Sequence, residues 1–112
     1  MTKQTEIKIT VALDEKNHPK TIHWQASDNP AGEDKREAKA MLISFFDKED
    51  KDTYKIDLWT SEMQVAEMDR LMFQSLKTLA QTYLNATKNT ELAGAMQQFA
   101  DYFGEKTEII SA

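Results

Sequence analysis

The feature that most constrains this chain is a change of hydrophobic period inside one stretch, Tyr54 to Ala86. Tyr54, Ile56 and Leu58 alternate with Lys55, Asp57 and Trp59. That period of two keeps one set of side chains on one face of a strand. The alternation stops at Thr60-Ser61-Glu62. Beyond it Val65, Met68, Leu71 or Met72, Leu76, Leu79 or Ala80, and Tyr83 recur at helical spacing. A strand therefore feeds a long amphipathic helix. Ser61 with Gln64 fits a capping box, and Glu62 and Glu67 suit the positive end of a helix start.

The residues before this stretch read as strands. Ile7, Ile9, Val11 and Leu13 point one way, and Glu6, Lys8 and Thr10 the other. Asp14 to Pro19 is a turn, and Ile22, Trp24 and Ala26 then alternate with His23 and Gln25. Ser27-Asp28-Asn29-Pro30-Ala31-Gly32 is a loop, and the charged run Glu33 to Lys39 tolerates a short helical turn. Ala40 to Phe46 is a continuous apolar run that reads as a strand, with a helix from Asp34 to Phe46 as the competing reading. Asp47 to Asp52 is a charged turn. After the long helix, Asn89 or Thr90 caps a second one lined by Leu92, Met96, Phe99, Ala100 and Phe103. Gly104 is placed to stop it in the left-handed conformation, and Ile109-Ile110 forms a last short strand or frays. The expected architecture is a single α+β domain over residues 1–112. Strands at about 5–13, 20–26, 40–46 and 53–59 form one four-stranded antiparallel sheet from two hairpins. Helices at about 62–87 and 90–104 pack on one of its faces.

Composition narrows the function classes. A chain of 112 residues suits one domain. It has no cysteine, so disulfides and thiolate chemistry are excluded and a cytoplasmic setting fits. The first residues lack an apolar signal core, and no window approaches a membrane span, so no membrane insertion is expected. The net charge of −5, without a cluster of Lys and Arg, argues against nucleic acid as a partner.

Candidate sites are few. His18 and His23 are the only histidines and lack metal-ligand spacing. Asp28, Glu33, Asp34 and Glu37 do not match a calcium loop, and the carboxylates from Asp47 to Asp52 read as a solvated turn. Asp57 sits between apolar strand residues, but no second carboxylate is placed to face it for acid–base work. Phosphate-loop, dinucleotide, nucleophile-elbow and zinc-protease motifs are absent. No cofactor, metal or catalytic residue is expected, and the protein reads as a non-enzyme. What remains is aromatic: Trp59 faces opposite to Ile56 and Leu58, and Phe45 or Phe46 shares its side. With Asp57 they form a candidate protein-contact surface. Met63, Met68 and Met72 read as core filler.

Ile56-Asp57-Leu58-Trp59-Thr60, followed by Met63, Val65 and Met68, resembles the signature of the gliding motility-associated GldC family of the Bacteroidetes. Glu6 to Ile9, Ile22 and Trp24, Ala38 to Ala40, and Phe99 to Phe103 extend the resemblance over most of the chain. Gln64 departs from the Pro of several relatives, which bears on the helix cap. The resemblance implies a small cytoplasmic accessory protein of gliding motility. It would act on a protein partner in the gliding or secretion machinery. Separately, an exposed aromatic sheet face or an unprotected edge strand would favour a homodimer. Strands followed by helices are also similar in order to SecB-type export chaperones, an analogy of architecture alone. A third reading makes Asp57 part of a small-ligand or hydrolase site beside a pocket.

Overall fold

The computed structural model describes residues 3–27 and 35–111. The elements are β1 (Ile7–Leu13), β2 (Pro19–Ala26), β3 (Arg36–Ala38), β4 (Ala40–Phe46), β5 (Thr53–Trp59), α1 (Val65–Thr87) and α2 (Thr90–Lys106). They divide into two compact units, Met1–Met63 with the strands and Gln64–Ala112 with the helices. The fold is α+β, with the helices after the strands.

The strands do not form the single four-stranded sheet expected from the sequence. They form a three-stranded sheet, β1-β2-β3, and a separate pair, β4-β5, both antiparallel. The cause lies at Lys39. Extended backbone begins at Arg36 rather than Ala40, and the ladder breaks at Lys39. Residues before the break pair with β2, as in Ile22 with Ala38. Residues after it pair with β5, and the Lys39 carbonyl accepts the Thr60 N–H at 2.8 Å. Arg36–Ala38 is thus strand where the sequence allowed a helical turn, and Ala40–Phe46 is strand rather than helix. The expected loop at Ser27 to Gly32 lies beyond Ser27 outside the described residues, as does the first part of the Glu33 to Lys39 run.

Each strand pair turns on an aspartate that replaces water at the turn's backbone. Asp14 Oδ1 accepts the N–H of Lys16 at 2.8 Å and of His18 at 3.0 Å. Asn17 takes the left-handed conformation there (φ 64°), which asparagine tolerates. Between β4 and β5, Asp47 Oδ2 accepts from Glu49 and Asp50, and Lys51 is left-handed (φ 61°). Register fixes the faces, because directly opposed residues point to the same side. In the first sheet Ile9 opposes Trp24, and Val11 opposes Ile22. Ile22 is the buried centre of this unit, while Ile7, Ile9, Leu13 and Trp24 around it stay exposed. The other face is polar: His23 opposes Glu37, with Nε2 3.7 Å from Oε1.

In the helical unit, Gln64 is the N-cap of α1, and its N–H donates to the Glu67 carboxylate at 3.1 Å. The box thus pairs Gln64 with Glu67, three residues later than Ser61 with Gln64, and the helix starts at Val65 rather than 62. Lys88, left-handed at φ 60°, ends α1. Asn89 starts α2 by accepting the Leu92 N–H at 3.0 Å. The expectation for Gly104 fails. The helix runs through it to Lys106, and the left-handed residue beyond is Glu108. A Cβ on Gly104 would lie 2.6 Å from Phe73 Cε1, so the glycine serves close packing of α2 on the Phe73 ring. Phe73, Ala80, Ala93, Ala100 and Gly104 are the buried seam of the hairpin. Ile109 and Ile110 neither fray nor form a strand; their N–H groups close the helix end on the Gly104 carbonyl at 2.9 and 3.2 Å.

Candidate protein-contact surface

Register sorts the β4-β5 side chains without ambiguity. Met41 opposes Leu58, Ile43 opposes Ile56 and Phe45 opposes Tyr54, so these six share one face. Trp59 with Ala40, Asp57 with Leu42, Lys55 with Ser44 and Thr53 with Phe46 make the other. Of the phenylalanines, Phe46 lies on the Trp59 side and Phe45 on the opposite one. Phe46 is also remote. Six residue steps along β5 separate Thr53, its partner, from Trp59, which is about 20 Å of strand. The residue that does stand beside Trp59 is Leu42, opposite Asp57 and diagonal to Trp59. Trp59 is 56% exposed and Leu42 40%. Sequence reading missed Leu42 because a continuous apolar run does not reveal which of its members falls opposite a given strand residue.

At the end of β5 a cleft of about 410 Å³ opens beside Trp59. Asp57, Leu58, Trp59, Thr60 and Ser61 form one wall, and Asp14, His18 and Pro19 from the first turn form the other. These two groups are some forty positions apart in sequence, and nothing in either indicates the other. Thr60 is the polar group closed into this region: it is 3% exposed, and its Oγ1 has no hydrogen-bond partner. His18 Nδ1 is 4.0 Å from Asp14 Oδ2. The backbone N–H of His18 holds the Asp14 carboxyl below the usual carboxylate range, so the first turn presents an ionised carboxylate at neutral pH. At the opposite tip the Tyr54 hydroxyl donates to Asp50, which lowers the Asp50 pKa and raises that of Tyr54.

The arrangement offers an exposed indole, a neighbouring leucine and a carboxylate at the lip of an open cleft. Among the described residues, no group of three or more His, Asp and Glu side chains could hold a metal ion. No helix among them is long and apolar enough to cross a membrane.

A family model described as gliding motility-associated protein GldC-like matches residues 19–109. That span takes in β2 to β5, both helices and the Trp59 surface. No curated protein and no solved structure matches the chain.

Proposed function

The chain belongs to the GldC-like family of gliding motility-associated proteins, and from that premise we propose that it is a non-enzymatic accessory factor that binds a component of the gliding or secretion machinery. The contact runs through Trp59 and Leu42, with Asp57 at its edge. The observation that carries this reading is a tryptophan 56% exposed on a strand, beside a leucine 40% exposed on the next. Large aromatic side chains left in water on a sheet face are the commonest anchors of protein interfaces. Trp59→Ala is the test. Its exposure makes the cost to folding small, within about 0.5 kcal/mol. The variant should keep the wild-type circular dichroism and melting temperature yet fail to capture motility or secretion components from the native host. Unchanged capture with an intact fold refutes the assignment.

A second reading is a holdase for unfolded export clients, and a specific observation favours it. The opposite face of β4-β5 is also apolar and open, with Phe45 61%, Tyr54 56% and Ile56 48% exposed. A two-sided apolar hairpin can bind extended segments without sequence preference. The purified chain should then suppress aggregation of a refolding client at stoichiometric amounts. Failure to do so leaves the accessory-factor reading alone.

A further inference from the structure

We infer that the helical unit is a self-association module, and that a second copy of this chain covers the apolar side of the α1-α2 hairpin. The inference is independent of Trp59 and goes beyond the partner contact proposed above.

The hairpin has two sides of opposite character. Phe73 and Ala80 on α1, and Ala93 and Ala100 on α2, are buried in the seam. One residue before each of these stands a large apolar side chain: Met72, Leu79, Leu92 and Phe99. One residue after each stands Gln74, Gln81, Gly94 and Asp101. Successive residues are about 100° apart on a helix. The two helices run antiparallel, so the same offset on both turns both sets to the same side of the hairpin. The polar side is satisfied internally. Lys77 Nζ lies 3.8 Å from Asp101 Oδ1, and Gln97 donates to Asp101 at 3.1 Å. The apolar side is open: Val65 is 80% exposed, Leu79 56%, Phe99 53%, Leu92 49% and Met72 36%.

The area indicates an occupant of defined size. Each large apolar side chain presents about 150–200 Å² when free, so these five leave roughly 500 Å² in water. That is at the upper end of what a monomer exposes in one patch. Paired with its own copy, the patch removes about 1,000 Å², and the half-buried Leu76, Met96 and Phe103 beside it bring this to a standard interface near 1,200 Å². The charge pattern selects the partner. On this side no charged residue falls between Met72 and Tyr83 or between Leu92 and Phe103. Asp69 and Lys106 fall on this side only toward its Val65 end, so a charged partner gains nothing from the stretch between, and that uncharged stretch is complementary to itself under two-fold symmetry. The spacing agrees. Val65, Met72 and Leu79 stand seven apart, as do Leu92 and Phe99, the repeat that seats helix against helix in a four-helix bundle.

The test is the mass of the full chain by sedimentation equilibrium and light scattering. The wild type should run at twice the 12.9 kDa of one chain. Leu79→Glu and Phe99→Glu should each weaken the dimer at least about 100-fold and give single chains. Both residues are more than half exposed, so helix content should persist by circular dichroism. Should either charge reduce it, Leu79→Gln supplies the same readout. Gln74→Glu on the polar side, and Trp59→Ala in the other unit, should leave the dimer intact. A wild type that stays a single chain overturns the inference. So does a dimer that neither apolar-side substitution weakens, because its contact then lies elsewhere. Dissociation by Gln74→Glu also overturns it.

Discussion

Replacing the two glycines of α2 by alanine, one at a time, should stabilise the protein at Gly94 but not at Gly104, and the contrast isolates how the helices pack. Alanine in place of a helix-interior glycine is favourable by about 1 kcal/mol, from reduced freedom of the unfolded chain. At Gly94 nothing lies within 4 Å of the new Cβ, so Gly94→Ala should stabilise by about 0.5–1 kcal/mol. At Gly104 the same Cβ would meet Phe73 Cε1 at 2.6 Å, Cδ1 at 2.9 Å and Ile110 Cγ1 at 3.0 Å. Phe73 is only 7% exposed, so its ring has little room to yield. Overpacking of this kind costs about 1–3 kcal/mol. It cancels or exceeds the propensity gain and leaves Gly104→Ala between neutral and about 2 kcal/mol destabilised. The difference between the two variants, about 1–3 kcal/mol, is therefore the steric term. Urea unfolding followed by far-ultraviolet circular dichroism measures both, at one protein concentration so that association is held fixed. If Gly104→Ala stabilises as much as Gly94→Ala, the close approach of α2 to Phe73 is not a feature of the folded protein.

Further expectations follow from the same contacts. Asn89→Ala removes the acceptor for the Leu92 N–H and should cost about 1 kcal/mol, read as a lower urea midpoint at unchanged slope. Thr60→Val keeps the shape and deletes a buried hydroxyl without a partner, so it should stabilise by about 1 kcal/mol; a loss of that size would show that the hydroxyl is satisfied in solution. Asp50→Asn should return the Tyr54 hydroxyl toward the ordinary tyrosine range in an ultraviolet titration. The sign for stability follows from these shifts. The depressed Asp14 and Asp50 carboxyls contribute stability that is present above about pH 4 and lost as pH falls through their folded values. The raised Tyr54 contributes below about pH 10 and loses its contribution as pH climbs through its folded value.

Local features were legible in the sequence wherever a single period governed several residues. Ile7 to Leu13, Pro19 to Ala26 and Tyr54 to Trp59 alternate and are strands; the stripes of α1 and α2 recur at helical spacing and are helices. The side of Trp59 relative to Ile56 and Leu58 followed from parity alone. Pairing between distant segments left no such mark. The break at Lys39 divides the extended stretch Arg36 to Phe46 between two sheets, and no local pattern announces it. The same blindness left Phe45 and Phe46 unresolved, hid Leu42, and concealed that Asp14 and His18 share a cleft with Thr60. Gly104 misled for a different reason. A glycine near a helix end reads as a stop signal, yet here Phe73, thirty-one residues earlier, requires the missing Cβ. Ile56 shares its face with Leu58 yet is 48% exposed, because alternation identifies a face but not what lies over it.

The most direct test of the central claim is genetic. A native-host strain lacking this chain is complemented with wild type, Trp59→Ala, Leu42→Ala or Phe45→Ala at matched abundance, and surface gliding is measured. Wild type and Phe45→Ala should restore gliding, while Trp59→Ala and Leu42→Ala should not, although each accumulates as a folded protein. Full gliding with Trp59→Ala and Leu42→Ala at wild-type abundance would contradict the claim that this face makes the functional contact.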